Sequence, residues 1–235
     1  MLSVWIPYRT PALVYAEAVL SRNGICAAEQ NADLILLSVP FRDSVPKGLP
    51  KGVPVFGGML KITDFPENPV TDLLNDETYL CRNAAVTSRC AVRLLGQRLP
   101  VTLSGCSVLI AGFGRIGKFL LRDLTALGAD CTVCLRNPAT ASFLTACGIS
   151  AMTVNQAADR LSGFRAVLNT VPALIFPETG TCPDTVLLDL ASVPGMEGPN
   201  VISARGLPGK MVPETSGTLI AKTVLDHIFH KEVSA

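Results

Sequence analysis

Between about Ser104 and Ala204 short apolar runs alternate with helical patterns. The runs are Val108–Ala111, Cys131–Leu135, Ala151–Val154, Ala166–Leu168, Val186–Leu188 and Val201–Ile202. Uninterrupted apolar strands are buried on both faces, which is the signature of a parallel sheet. Arg115 to Leu127 reads as a helix instead, with Ile116, Phe119, Leu120, Leu124 and Leu127 on one stripe and Gly128 as its stop. Strand and helix alternating at this spacing predict an α/β fold: a Rossmann-type, doubly wound parallel sheet.

The N-terminal part is less regular. Ala12–Leu20 looks helical, and Asp33–Val39 and Val53–Phe56 look like strands ending in Pro or Gly turns. This predicts a smaller α/β domain that lacks part of its sheet. Asn83–Leu95 reads as a helix, and Gly96–Gly105 as the connection onward. Gly206–Pro213 is too rich in turn formers for a helix. A last helix follows, capped by Thr215 or Ser216, with Leu219, Ile220, Val224 and Ile228 on one face. That stripe needs a partner, so the helix is expected to cross back onto the N-terminal domain. The expected division is 1–96, 97–213 and 214–235.

Composition narrows the function. The chain has 235 residues, 49% hydrophobic and 17% charged, which excludes disorder as the dominant state. A net charge of +1 gives no footprint for nucleic acid. No apolar run approaches the length of a membrane span, and no leader pattern opens the chain, so a cytoplasmic protein is expected. Of eight cysteines only Cys131 and Cys134 have C-x-x-C spacing, and on a strand positions three apart point to opposite faces. Reduced, packed thiols and no zinc site are the expectation. His227 and His230 lie three apart near the end of the last helix, where a histidine suits the helix dipole. A metal there would need a third ligand from elsewhere, and none is expected.

The chemistry lies in Gly112, Phe113, Gly114, Arg115, Ile116 and Gly117, which form G-x-G-x-x-G directly after a buried strand and at the opening of an amphipathic helix. Gly112 allows the tight turn, Gly114 the approach of a pyrophosphate, and Gly117 close packing of helix on strand. The phosphates then sit on the helix N-terminus. Asn169, Thr170, Val171 and Pro172 end one later strand and Asp189 the next, at the carboxyl edge where such sheets bind ligands. Ordinary turn chemistry is the competing reading for Asn169 and Asp189. The second strand ends in Arg136 and Asn137 with no acid. A carboxylate there would bind a ribose 2′-hydroxyl, whereas Arg136 suits a 2′-phosphate, so NADP is expected over NAD.

These residues resemble the A-subunit family of dipicolinate synthase, a sporulation enzyme, over roughly Leu34 to His227. The resemblance is carried by Val108–Gly117, Leu168–Pro172, Leu188–Gly195, Gly206–Gly209 and Pro213–Gly217. It implies a nicotinamide-binding oxidoreductase that converts a dihydrodipicolinate-type dicarboxylate to dipicolinate. It also implies a partner, a flavoprotein-like B subunit, and a homo- or hetero-oligomeric state. The implied site residues lie on the Asn83–Leu95 helix, where Asn83 and Thr87 match the family's N-x-x-P-T-x-E-G and Arg89 stands in place of its Glu. In this reading Asn83 orients substrate, Thr87 relays a proton and Arg89 holds a carboxylate, all facing an interdomain cleft with Arg82 and Lys210. Two departures stand out. Met1–Asn31 lacks the family's Gly-Gly-Asp turn, so the N-terminal domain is expected to be shortened or diverged. The Glu-to-Arg change keeps open a non-catalytic nicotinamide-binding subunit or sensor. A shikimate- or hydroxyacid-type dehydrogenase is a third reading, because Asn169–Pro172 also resembles that group.

Overall fold

A computed structural model describes residues 1–29, 31–179, 182 and 184–229. The chain divides into two compact units, Met1–Asn83 joined by the segment that begins at Pro208, and Ala84–Leu207.

The first unit opens with β1 (Ser3–Trp5), α1 (Pro11–Arg22), β2 (Cys26–Ala27), β3 (Leu34–Leu36), β4 (Val55–Gly57) and β5 (Val70–Asp72). These strands form one sheet in the order β2-β1-β3-β4-β5, with every pair parallel. The expectation of an incomplete sheet is therefore corrected. The chain opens with a strand, a turn and a helix: β1, Ile6–Thr10 and α1. Thr10 caps the helix through a bond from the Leu13 amide, and Pro11 begins it.

The helix expected over Asn83–Leu95 extends further in both directions as α2 (Glu77–Arg98), beginning in the first unit and ending in the second. The second unit then runs β6 (Ser107–Ala111), α3 (Arg115–Ala126), β7 (Asp130–Leu135), α4 (Pro138–Ala146), β8 (Ala151–Thr153), α5 (Val154–Ala158), β9 (Ala166–Asn169), β10 (Val186–Asp189) and β11 (Val201–Ser203). Its six strands are ordered β11-β10-β9-β6-β7-β8 and all parallel, the doubly wound arrangement read from the apolar runs. Leu109, Ile110, Val167 and Leu187 are wholly buried, as two-sided burial of the sheet requires. Leu127 departs from the expected stripe: α3 ends one residue earlier, and Leu127 lies exposed as its C-cap.

Two expectations about the C-terminal segment are corrected. Gly206–Pro213 contains a short helix, α6 (Leu207–Met211), because Pro208 falls in its first turn, where no amide bond is lost. The last helix, α7 (Pro213–Phe229), begins at Pro213, so Thr215 and Ser216 lie inside it rather than capping it. In the first unit α7 lies on α1, and Leu219, Ile220 and Val224 share a core with Leu13, Ala16 and Leu20. The two helices approach so closely that a Cβ on Gly217 would run into the Ala12 carbonyl oxygen. No helix among the described residues is long and apolar enough to cross a membrane.

Candidate functional site

The glycine turn of the second unit is built by interlock with its neighbour. β6 leaves the sheet at Gly112, whose φ of 97° lies in the left-handed region, and whose amide donates to the Cys134 carbonyl at 2.8 Å. The Thr170 amide and hydroxyl both donate to the Ala111 carbonyl, each at 2.8 Å, which ties the loop after β9 to the turn after β6. A Cβ on Gly112 would sit 2.5 Å from the Thr170 Oγ1, and one on Gly117 would meet the Gly112 carbonyl oxygen. Both glycines are required by packing.

Gly114 differs. Its backbone is extended, it occupies the N-cap of α3 without a side-chain cap bond, and a Cβ there would meet nothing within 4 Å. No side chain caps the start of this twelve-residue helix, and the space beside Gly114 is open, as a phosphate at a helix N-terminus requires. Arg115 is exposed and Ile116 half-buried at the same helix start. Phe113 packs against Val133, Leu135, Ala141 and Leu144, with the Lys118 ammonium 5.5 Å from its ring centroid.

Arg136 follows β7 directly, is exposed, and makes no ion pair with the described residues. The Asn137 carboxamide oxygen caps α4, accepting from the amides of Ala139 at 2.9 Å and Thr140 at 3.4 Å. Its carboxamide nitrogen is the group with which it could donate to a ligand.

Asn169 and Asp189 lie beneath the strand ends, 0% and 1% exposed. Asn169 donates to Asp189 Oδ1 at 2.8 Å and to the Val171 carbonyl at 3.1 Å, and accepts from the Val171 amide at 3.0 Å. Asp189 also accepts from the amides of Ala191 and Gly195 and from Arg205. Their side-chain polar atoms are thus bonded within these loops, the turn chemistry that competes with ligand binding at both positions. Through these bonds they brace Thr170, Val171 and Pro172, of which Pro172 is exposed. Sequence reasoning missed Arg205, which lies outside any motif, and the packing role of Gly195, where a Cβ would run into the Asn169 carboxamide.

On α2, Thr87 is buried, Asn83 half-buried and Arg89 exposed. Four residues along a helix return to nearly the same side, whereas two residues turn through about 200°. Asn83 and Thr87 therefore share a face, and Arg89 points away from Thr87. The expected grouping of all three is not formed. Arg82 approaches Asp226 on α7 at 4.0 Å.

None of the eight cysteines is in a disulfide. Burial pushes the Cys134 thiol up to about 12 and raises Cys131 as well, so both are protonated at neutral pH. His227 pairs with Asp76 at 2.9 Å, and His230 lies outside the described residues. No group of three His, Cys, Asp or Glu among the described residues could hold a metal ion.

No protein-family model matches the chain. The A subunit of dipicolinate synthase from Bacillus subtilis (strain 168) is 29% identical over 153 residues, 60% of this chain and 52% of that protein. The match thus spans about half the length of the curated relative. Among solved structures, the A chain of dipicolinate synthase from Bacillus subtilis superposes with a TM-score of 0.80 at 20% identity, covering 100% of this chain and 98% of that one. An L-alanine dehydrogenase shares the fold at a TM-score of 0.64 and 11% identity, over 97% of this chain and 89% of that one. The resemblance read from the motifs holds: the chain is similar in sequence to the dipicolinate synthase A subunit and shares its Rossmann-like α/β fold.

Proposed function

We propose that the protein is an NADP-dependent oxidoreductase that converts a dihydrodipicolinate-type diacid to dipicolinate. The observation that carries this reading is the cradle at Gly112–Gly117. Two of its glycines are filled by packing, and the third, Gly114, opens onto space at an uncapped helix start. In this reading the α3 amides hold the pyrophosphate, Phe113, Arg115 and Ile116 flank it, and Thr170–Pro172 form the opposite rim. Arg136 and the Asn137 carboxamide nitrogen receive the 2′-phosphate. Bound there, the nicotinamide would accept a hydride with its electron pair from a ring carbon, while a proton is released.

The chain's own contribution would be orientation and proton handling. Asn83 and Thr87, on one face of α2, are the pair assigned to this, Asn83 as hydrogen-bonding anchor and Thr87 as proton relay. Arg89 belongs to the other side of the helix, where its charge could attract a dicarboxylate but not act beside Thr87. The homologue is named a subunit, which supports a multi-subunit assembly. A flavoprotein-like B subunit is the partner we assign.

A second reading is a nicotinamide-binding subunit without catalysis. It is favoured by Arg89, which stands where the family motif carries Glu. The test is dihydrodipicolinate with NADP and the purified chain, alone and with a flavoprotein-like partner, following reduced cofactor and dipicolinate together. Formation of both in equal amounts is expected. Cofactor binding without dipicolinate under either condition would establish the second reading in place of the first.

A further inference from the structure

We infer that Met59 is a substrate-contacting residue, presenting its thioether to the face of a planar heterocyclic diacid. Met59 is a non-glycine residue with positive φ, at 60°, a conformation that side chains adopt at a cost and that Gly or Asn adopt more easily. Burial does not offset that cost, because Met59 is 54% exposed. An apolar side chain held out to solvent on strained backbone marks a contact surface better than a packing element.

The surroundings enforce the conformation. Met59 lies two residues beyond the end of β4, at the carboxyl edge of a parallel sheet, where α/β units bind ligands. The Asp72 carboxylate, at the end of β5, accepts from the Met59 and Leu60 amides at 3.1 Å each and from the Leu74 amide at 2.8 Å. On the other side, Gly58 donates to the Ser38 carbonyl at 3.1 Å and accepts from the Phe41 amide at 2.6 Å, in the loop after β3. A Cβ on Gly58 would come within 2.6 Å of Val39 Cγ1, so this loop fits only because the residue is glycine. Three successive strand ends are thus bonded around one exposed methionine. A polarisable thioether is favourable against an aromatic ring, and exposed Lys61, two residues on, adds a cation for a carboxylate.

The assignment rests on the proposed reaction, so its test uses the proposed product. Dipicolinate is titrated calorimetrically into the full chain saturated with NADP, for wild type, Met59→Gly and Met59→Leu. Glycine relieves the strain and removes the contact. Its Tm should rise by about 2–4 °C and its dipicolinate affinity should fall roughly 3- to 10-fold. Leucine keeps the strain and the apolar bulk but lacks the sulfur, so its Tm should be unchanged and its affinity should lie between wild type and the glycine variant. Wild-type affinity in the glycine variant would overturn the contact, and wild-type affinity in the leucine variant the role of the thioether, while leaving the reaction standing. Failure of wild type to bind dipicolinate would overturn the reaction and the contact together.

Discussion

The Asn169 carboxamide donates to the Asp189 carboxylate at 2.8 Å, from one strand end to the next, with both side chains out of solvent. Around this bond Asp189 gathers the Ala191 and Gly195 amides and Arg205, and Asn169 shapes the turn at Val171. Asp189→Ala would leave several buried donors unsatisfied. It is expected to cost about 3–5 kcal/mol, measured by urea denaturation. A loss under about 1 kcal/mol, typical of an exposed pair, would contradict this role.

Gly114 and Gly117 are three residues apart and should respond oppositely. Gly114→Val adds its side chain to open space on backbone that any residue can adopt, so the fold should persist while dinucleotide binding is lost. Gly117→Ala drives a Cβ against the Gly112 carbonyl, so it should lower Tm as well as affinity. Circular dichroism melts beside cofactor titrations separate the two outcomes. A Gly114→Val protein that still binds NADP at wild-type affinity would remove the cradle from the account.

Stability should fall in acid partly through Asp76. Burial there favours the neutral acid, but the bonds from the Tyr79 amide and His227 prevail, and its pKa lies below the usual 3.8. A depressed folded pKa means stabilisation that is fully present above the unfolded value and lost as pH falls through the folded one. Asp76→Asn keeps an N-cap for α2 but cannot ionise, so its stability should decline less between about pH 5 and pH 2. Denaturation midpoints across that range check this; parallel curves for the two proteins would contradict it.

The second unit was legible because its core strands are apolar without interruption, as Val108–Ala111 and Ala166–Leu168 show, and because its glycine motif has the strand and helix it requires. The first unit was not. β1 has three residues and β2 two, both of the latter exposed, too short to carry a period, and their pairing depends on partners distant in sequence. Pro208 and Gly209 read as turn formers because composition cannot show that Pro208 falls in a first helical turn. Arg89 was grouped with Thr87 by motif, although a helix sets residues two apart on different sides. The left-handed backbone of Met59 has no sequence signal, since it is imposed by Asp72 and the loop after β3.

The central claim is that Gly112–Gly117 binds a nicotinamide dinucleotide and that Arg136 selects the phosphorylated form. Calorimetric titration of NADP and NAD into the purified chain tests it directly. Hydrogen bonds to a charged group net roughly 1.5–3 kcal/mol, so NADP should bind ~10–150-fold more tightly than NAD. Arg136→Asp, which removes the cation and adds a repelling charge, should reverse that order. Equal affinities, tighter NAD, or no binding of either dinucleotide would contradict the account.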